Sequence, residues 1–412
     1  MEKKTIFRDY NPSKDRKAAF RIWREVGWMQ DRDKELDLYL KACRGRVAEI
    51  NGDVECLVIA GSGEIRYLRE DIPFSCILGV TTSWIARKQG LAGRLTARSI
   101  AEEAAAGAPL SLLGMFEQGY YDKLGYGSGP YQHFVSFDPA RLDIGEKPPL
   151  CRRFDARDWK SLHEARLKRH RTHGSCNIFV PEQTMWYMNE RKNAFGLGYS
   201  GTSGGSPSHF FWVWPQNMEH GPFRIMMMVY QDPEQLRELL ALIRGLGDQV
   251  RKIVMCEPPG IQLQDLIEDP LKQHYVSRNA AFEYGIRSLA DWQIRICDLE
   301  KCLSKTSIPG PDIRFNLDLC DPIEKYLEKD SPWKGISGKY IVTIGERSGV
   351  ERGTDPGLPT LEASVGAFTR MWLGVRPATG LSITDEISAT DTLLERLDDT
   401  LRLPVPVPNW MF

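Results

Sequence analysis

One short stretch, Arg87-Lys88-Gln89-Gly90-Leu91-Ala92-Gly93, concentrates the residue types that suit a paired phosphate. Small residues at 90, 92 and 93 let backbone N–H groups turn into one concavity. A helix starting there adds the positive end of its dipole. Arg87 and Lys88 place charge at the rim. Alone, such a turn is as often an ordinary helix start. A second stretch, GYYDKLGYG (Gly119–Gly127), supplies Tyr120, Tyr121 and Tyr126. A phenol, with a reference pKa of about 10, can hand a proton to a departing group, and aromatic packing is the competing reading. Two other patterns read as decoys. Gly201-Thr202-Ser203-Gly204-Gly205 fits a hydrolase elbow in letters, but Gly, Ser and Pro surround it, so it reads as a hairpin loop. His170 and His173 stand among Lys and Arg that would repel a cation, so a solvated helix end is expected there and no metal.

The elements that must position these residues follow from periodicity. Ile77, Leu78, Val80, Thr81 and Thr82 form a β-branched run ahead of the loop, and Leu91, Leu95 and the alanines to 105 favour a helix after it. Upstream, residues 14–28 read as an amphipathic helix. Strands are expected at 46–50, 55–60 and 64–68, with hairpin turns at 51–53 and 61–63. Leu110–Met115 suits a fifth strand and Gln132–Asp138 a later one. A Pro/Gly-rich linker at 145–150 marks a boundary. Beyond it the pattern recurs coarsely: helices at 155–170 and 181–192, two strands around 198–208, a strand at 224–230, a helix at 233–245 and a strand at 252–257. This half has no counterpart of the loop at 87–93. The remainder carries strands at 313–319 and 338–344, helices at 364–373 and 391–401, and an extended tail, LPVPVPNWMF.

A chain of 412 residues exceeds one ordinary core, so two or three domains are expected. The balance of 54 basic against 55 acidic side chains gives no basic excess for nucleic acid. No apolar run is long enough for a membrane span, and MEKKTIFRDY lacks the apolar core of a secretory signal. Nine scattered cysteines without a Cys-x-x-Cys pair suit reduced thiols in the cytoplasm.

The loop Arg87–Ala92 resembles the Arg/Gln-x-x-Gly-x-Gly/Ala acyl-CoA signature of GNAT acetyltransferases, and Tyr120–Gly127 resembles the segment after their fifth strand. With Gly245–Pro270 and the aromatic end, the chain is similar over nearly its whole length to the enhanced intracellular survival family. The resemblance implies a mixed α/β, α+β chain: a GNAT domain at 1–145, a GNAT-like domain without cofactor loop at 146–302, and a sterol-carrier-protein-like domain at 303–412. It implies acetyl-CoA as co-substrate, no metal, an amine acceptor of the aminoglycoside or another amine-bearing type, and a homo-oligomer, commonly a hexamer. Residue by residue, Val80, Thr81 and Thr82 would meet the pantetheine arm. Arg87, Lys88, Gln89, Gly90, Leu91, Ala92 and Gly93 would hold the pyrophosphate, and Phe116 and Glu117 would touch the cofactor. Tyr121 falls on the tyrosine that protonates the thiolate, and Phe412 on the terminal residue whose carboxylate serves as base.

Trp84 stands where that family usually has proline, and the tail lacks an acidic residue beside its terminal aromatic. Trp28, Trp84 and Trp410 are candidate pocket walls. Asp31, Asp33, Glu35 and Glu117 are candidates for drawing in a cationic amine, against the plainer reading of a solvated face. Two competing functions stand beside N-acetylation. One is an enzyme of the same fold using another acyl-CoA or adding a reaction beside Tyr121. The other is a non-catalytic lipid or ligand binder.

Overall fold

The structure, a computed structural model, describes residues 5–29, 32–145, 147–201 and 205–412. Its first part runs β1 (Thr5–Asp9), α1 (Pro12–Glu25), α2 (Asp33–Ala42), β2 (Arg44–Ile50), β3 (Asp53–Tyr67), β4 (Glu70–Thr82), α3 (Leu91–Ala105), β5 (Leu110–Gly114), α4 (Gln118–Asp122), β6 (Gly127–Ser128) and β7 (Gln132–Phe137). The Asn11 side chain caps α1 and Pro12 opens it, and the helix buries Ala19, Phe20, Ile22 and Trp23. Two local expectations fail. The glycines at 61 and 63 do not turn the chain but lie within the single long strand β3. A Cβ on Gly63 would stand 2.2 Å from the Asn177 carbonyl oxygen, so the glycines admit a crossing strand, Cys176–Ile178. The run after residue 32, read only as a charge cluster, is helix α2, whose Leu36, Tyr39 and Leu40 are buried.

Two sheets exchange strands. The first is ordered β1-β2-β3-β4-β5, then Trp292–Ile296, then β6, with Cys176–Ile178 on the far end of β3. The second is ordered Gly285–Leu289, β7, Ile253–Cys256, Phe223–Val229, Pro207–Pro215, Phe195–Ser200, Arg152–Phe154. A cut at residue 145 therefore leaves β7 with the wrong sheet, and a cut at 302 leaves Trp292–Ile296 likewise. Each sheet completes itself with a strand from the chain segment nominally belonging to the other. The exchange ties the halves together by backbone hydrogen bonds, which are indifferent to side-chain pattern.

The last part is a five-stranded sheet, ordered Gly349–Arg352, Gly338–Ile344, Ile313–Cys320, Thr360–Ser364, Ile387–Ser388. Helices Val365–Trp372, Ala378–Thr384 and Asp391–Thr400 accompany it. Its core is continuous with that under α1. Arg295, on the strand lent to the first sheet, pairs with Asp321 at 2.6 Å with both side chains wholly buried. Among the described residues, no helix is long and apolar enough to cross a membrane, and no cluster of His, Cys, Asp and Glu could hold a metal ion.

Candidate active site

Strands β4 and β5 run parallel from Phe74↔Leu110 to Ile77↔Leu113 and then part. A bulge at Leu78 shifts the β3–β4 register from Ala60↔Ile77 to Ile59↔Gly79. Past Leu113 no bridge joins β5 to β4, while on its other side β5 stays with the strand Trp292–Ile296, the Met115 N–H bonding to the Asp291 carbonyl. The β5-facing backbone edge of Val80, Thr81 and Thr82 is thus left without a strand partner. The side chains of Thr81 and Thr82 face inward, to the Leu57 carbonyl at 3.5 Å and the Cys56 sulfur at 3.3 Å.

The loop follows. Ser83 N–H is held by the Glu55 carbonyl and Trp84 N–H by the Glu25 carboxylate at 2.9 Å. Lys88 (φ 59°) and Gly90 (φ 73°) are both left-handed, the alternation that turns successive N–H groups into one cup. Gly90 is the N-cap of α3 and no side chain caps that helix, so the N–H groups of Leu91, Ala92 and Gly93 keep their free valence for an anion. Arg87, Lys88 and Gln89 are exposed around it. A side chain at Gly93 would meet Tyr326, which packs on α3 from the last part of the chain.

The three tyrosines separate by partner. Tyr126 is locked in the core by Ser111 at 2.7 Å. The Tyr120 hydroxyl is buried beside Thr96 and lies close to Gly93. Tyr121 is 8% exposed and packs edge-on against both rings, and no hydrogen bond engages its hydroxyl among the described residues. Burial, and then the carboxylate of Glu117, push its pKa up to about 12. It therefore holds its proton across the neutral range.

Opposite Tyr121, the chain end arrives. A Cβ on Gly114 would lie 2.7 Å from Cβ of Phe412 and 3.1 Å from its carbonyl oxygen, so only glycine leaves room for the terminus there. The Phe412 ring stacks on Trp292 (centroids 6.3 Å, planes 17° apart). The tail does not fray. Val407 N–H bonds to the His173 carbonyl, Cys176 N–H to the Pro408 carbonyl, and Gln183 grips both the Trp410 indole N–H (3.1 Å) and the Met411 carbonyl (3.2 Å). Trp28 lies against Gly79, its ring 3.4 Å from where a Cβ would be. Gly79 and Gly114 face the α1 side of the sheet, with Ile59 and Leu112; Val80, Leu113 and Tyr121 face the α3 side. The parted strands thus have Trp28 and Phe412 on one face and the loop with Tyr121 on the other.

Other expected residues fall elsewhere. Trp84 is 64% exposed on a 3-10 turn at the loop rim, and no ring contact among the described residues joins it to Trp28. Phe116 and Glu117 are exposed beyond β5. Trp410 is buried beneath the Arg166 guanidinium, 3.4 Å from its centroid, behind the terminus. Asp33 pairs with Arg24 at 2.7 Å on the surface, Glu35 sits half-buried in α2, and Asp31 lies outside the described residues. So do Thr202, Ser203 and Gly204 of the hydrolase-like pattern; Gly201 N–H closes on the Ser206 carbonyl between two strands. His173 corrects the solvated-end expectation. It is buried, its Nδ1 accepting from Leu68 N–H and its Nε2 donating to the Leu373 carbonyl. Gly114, Trp292 and Gln183 were not anticipated. Only the glycine ending an apolar run gave a signal of close approach.

A family model for the acetyltransferase (GNAT) domain matches residues 8–129. The chain contains an acetyltransferase domain of the GNAT type. A GNAT domain takes acetyl-CoA as co-substrate, which fits the open cup before α3. No curated protein matches the sequence. Among solved structures, Eis1 from Mycobacterium abscessus shares 17% identity with a TM-score of 0.76, over 99% of this chain and 100% of that one. A GCN5-related N-acetyltransferase from Anabaena variabilis is 16% identical with a TM-score of 0.78, over 99% and 100%. A protein from Enterococcus faecalis described as a probable N-acyltransferase is 17% identical with a TM-score of 0.76, over the whole of both chains. At such identities the likeness is one of fold, and it extends across the whole mixed α/β chain.

Proposed function

We propose that this GNAT acetyltransferase acts as an N-acetyltransferase of the enhanced intracellular survival type, acetylating an amine of a small molecule, aminoglycoside-like or another amine-bearing natural product. The observation that supports this reading is the placement of the chain terminus, against Gly114, and of Trp28, against Gly79, on one face of the parted strands, with the loop before α3 and Tyr121 on the other. Two substrates approaching from opposite faces suit a ternary complex. The loop from Arg87 to Gly93 holds the pyrophosphate, and the free edge of Val80–Thr82 takes the pantetheine arm. A backbone N–H near Thr82 polarises the thioester carbonyl. The amine nitrogen attacks the carbonyl carbon and the C–S bond breaks. Tyr121 gives its proton to the departing sulfur, and the Phe412 carboxylate, directly or through water, takes the proton from nitrogen.

A carboxylate with a reference pKa of about 3.5 is a weak base, so its first service is to attract and align the ammonium. In this reading residues 146–302 serve as the GNAT-like wall. The last part, sterol-carrier-like, delivers the terminus, and the chain assembles as a homo-oligomer, hexameric by the same resemblance. The test is a mass-spectrometric screen of amines with acetyl-CoA. A gain of one acetyl group, lost in Tyr121→Phe and on extending the chain past Phe412, is expected; unchanged turnover in both variants contradicts the mechanism.

A further inference from the structure

The second sheet has its own parting of parallel strands. Phe223–Val229 and Ile253–Cys256 pair from Phe223↔Ile253 to Ile225↔Met255, and a cavity opens beyond, behind the chain tail. Three arginines, Arg166, Arg169 and Arg224, line it. Arg166 and Arg169 are 2% and 4% exposed, yet neither has a carboxylate partner among the described residues. Among the described residues, Arg166 donates only to the Thr184 hydroxyl at 3.2 Å. Arg169 donates to the Asn177 side-chain oxygen at 2.6 Å and to the carbonyls of Arg166 and Cys176, and its Nε has no acceptor among the described residues. Arg224 lies over Phe134, within reach of the charge of Asp291 and, among the described residues, without a direct ion pair.

The acidic side chains of the cavity take hydrogen bonds from other donors than these arginines. Glu257 accepts from Leu263 N–H at 2.8 Å, and Asp291 from the Gln132 amide at 2.6 Å. Asp291 sits with Phe412 at the end of β5, through its carbonyl bond to Met115. Arg166 stacks two residues back along the tail, on Trp410. Two residues of extended chain separate these poles by about 7 Å. Burying two neighbouring cations without an anion costs several kcal/mol each by desolvation alone. Burial drives both guanidinium pKa values down, and each Arg pushes against its cationic neighbours. Guanidinium forks suit a carboxylate or phosphate.

We propose that the acceptor carries an anionic group, carboxylate or phosphate, as well as its amine, and that Arg166, Arg169 and Arg224 bind that anion while the amine points to Asp291 and the Phe412 carboxylate. This rests on the acyltransferase reading above. It makes the acceptor a compact zwitterion rather than a polycation.

The test is the melting temperature of coenzyme A-saturated protein titrated with inorganic phosphate, and separately with glutarate, against chloride at matched ionic strength. Saturation keeps the anions out of the loop before α3. The expected result is a rise with either anion that disappears in Arg166→Gln and Arg169→Gln, while the coenzyme A shift persists. Which anion acts at lower concentration tells carboxylate from phosphate. If both buried variants fail to fold, Arg224→Gln decides, with an expected anion response at least threefold weaker. No anion shift in the wild type, or an undiminished one in the variants, overturns the proposal while leaving acyl transfer standing. Absence of any coenzyme A shift sinks the acyltransferase reading instead.

Discussion

The helix that follows the fourth strand of the first sheet and the helix that follows the corresponding strand of the second start in opposite ways. Helix α3 begins at left-handed Gly90 with no capping side chain and basic residues in front. Helix Pro233–Gly245 begins at Asp232, whose carboxylate accepts from Gln235 N–H at 2.9 Å, with Pro233 deleting one donor and Glu234 in the first turn. The first N-terminus offers free donors and positive charge to an external anion. The second has neutralised its own dipole, and a diphosphate arriving there would meet two carboxylates. In the proposed reading, similar strand orders thus yield one half that holds the nucleotide and one that does not. The difference lies in four or five residues before a helix, not in the sheet.

That contrast can be broken by mutation. The largest effect belongs to the chemistry: Tyr121→Phe should lower kcat by about 10²–10⁴-fold with acetyl-CoA affinity kept, since only the proton to sulfur is lost. Steady-state rates beside calorimetry check it. Next, moving the second half's device into the first, Gly90→Asp, puts a carboxylate at a left-handed N-cap that Asp tolerates. Coenzyme A affinity should fall by at least about tenfold, because one lost charge-assisted contact of 1.5–3 kcal/mol already amounts to that.

Buried groups in both halves also tie stability to pH. In the second, burial lowers the pKa of His163 to about 4 and lowers that of His173. Their folded values lie below the unfolded one near 6.5, so stability is full above that pH and is lost as pH falls toward 4, by up to about 3 kcal/mol for His163. In the first, Tyr121 is raised to about 12. Its contribution is full below pH 10 and fades as pH climbs to 12. Denaturant melts across pH, repeated with His163→Gln, check the acid limb, which should flatten. The smallest change is Asp232→Ala. It should cost about 1 kcal/mol of stability and leave acetyl transfer intact; a loss of activity at unchanged stability would give the second half a role in the chemistry.

Much of the site is legible in the sequence because it is local. The loop Arg87–Gly93, the preceding strand and Tyr121 sit within one stretch whose letters encode backbone geometry directly. Helix Pro233–Gly245 and strand Gly338–Ile344 lie where periodicity puts them. What stays hidden is non-local. The exchange of β7 and Trp292–Ile296 leaves no trace, since a strand carries the same alternation in either sheet. The close approach at Gly63 looks like a turn until the crossing strand is known, and His173 looks solvated until Leu68 and Leu373 close on it from distant parts of the chain.

The most direct measurement is a calorimetric titration of the wild type and Gly90→Asp with coenzyme A. One molecule bound per chain, with affinity at least tenfold weaker in the variant, is the predicted outcome. Two molecules per chain, or wild-type affinity in Gly90→Asp, would contradict the assignment of the nucleotide to the uncapped helix of the first half.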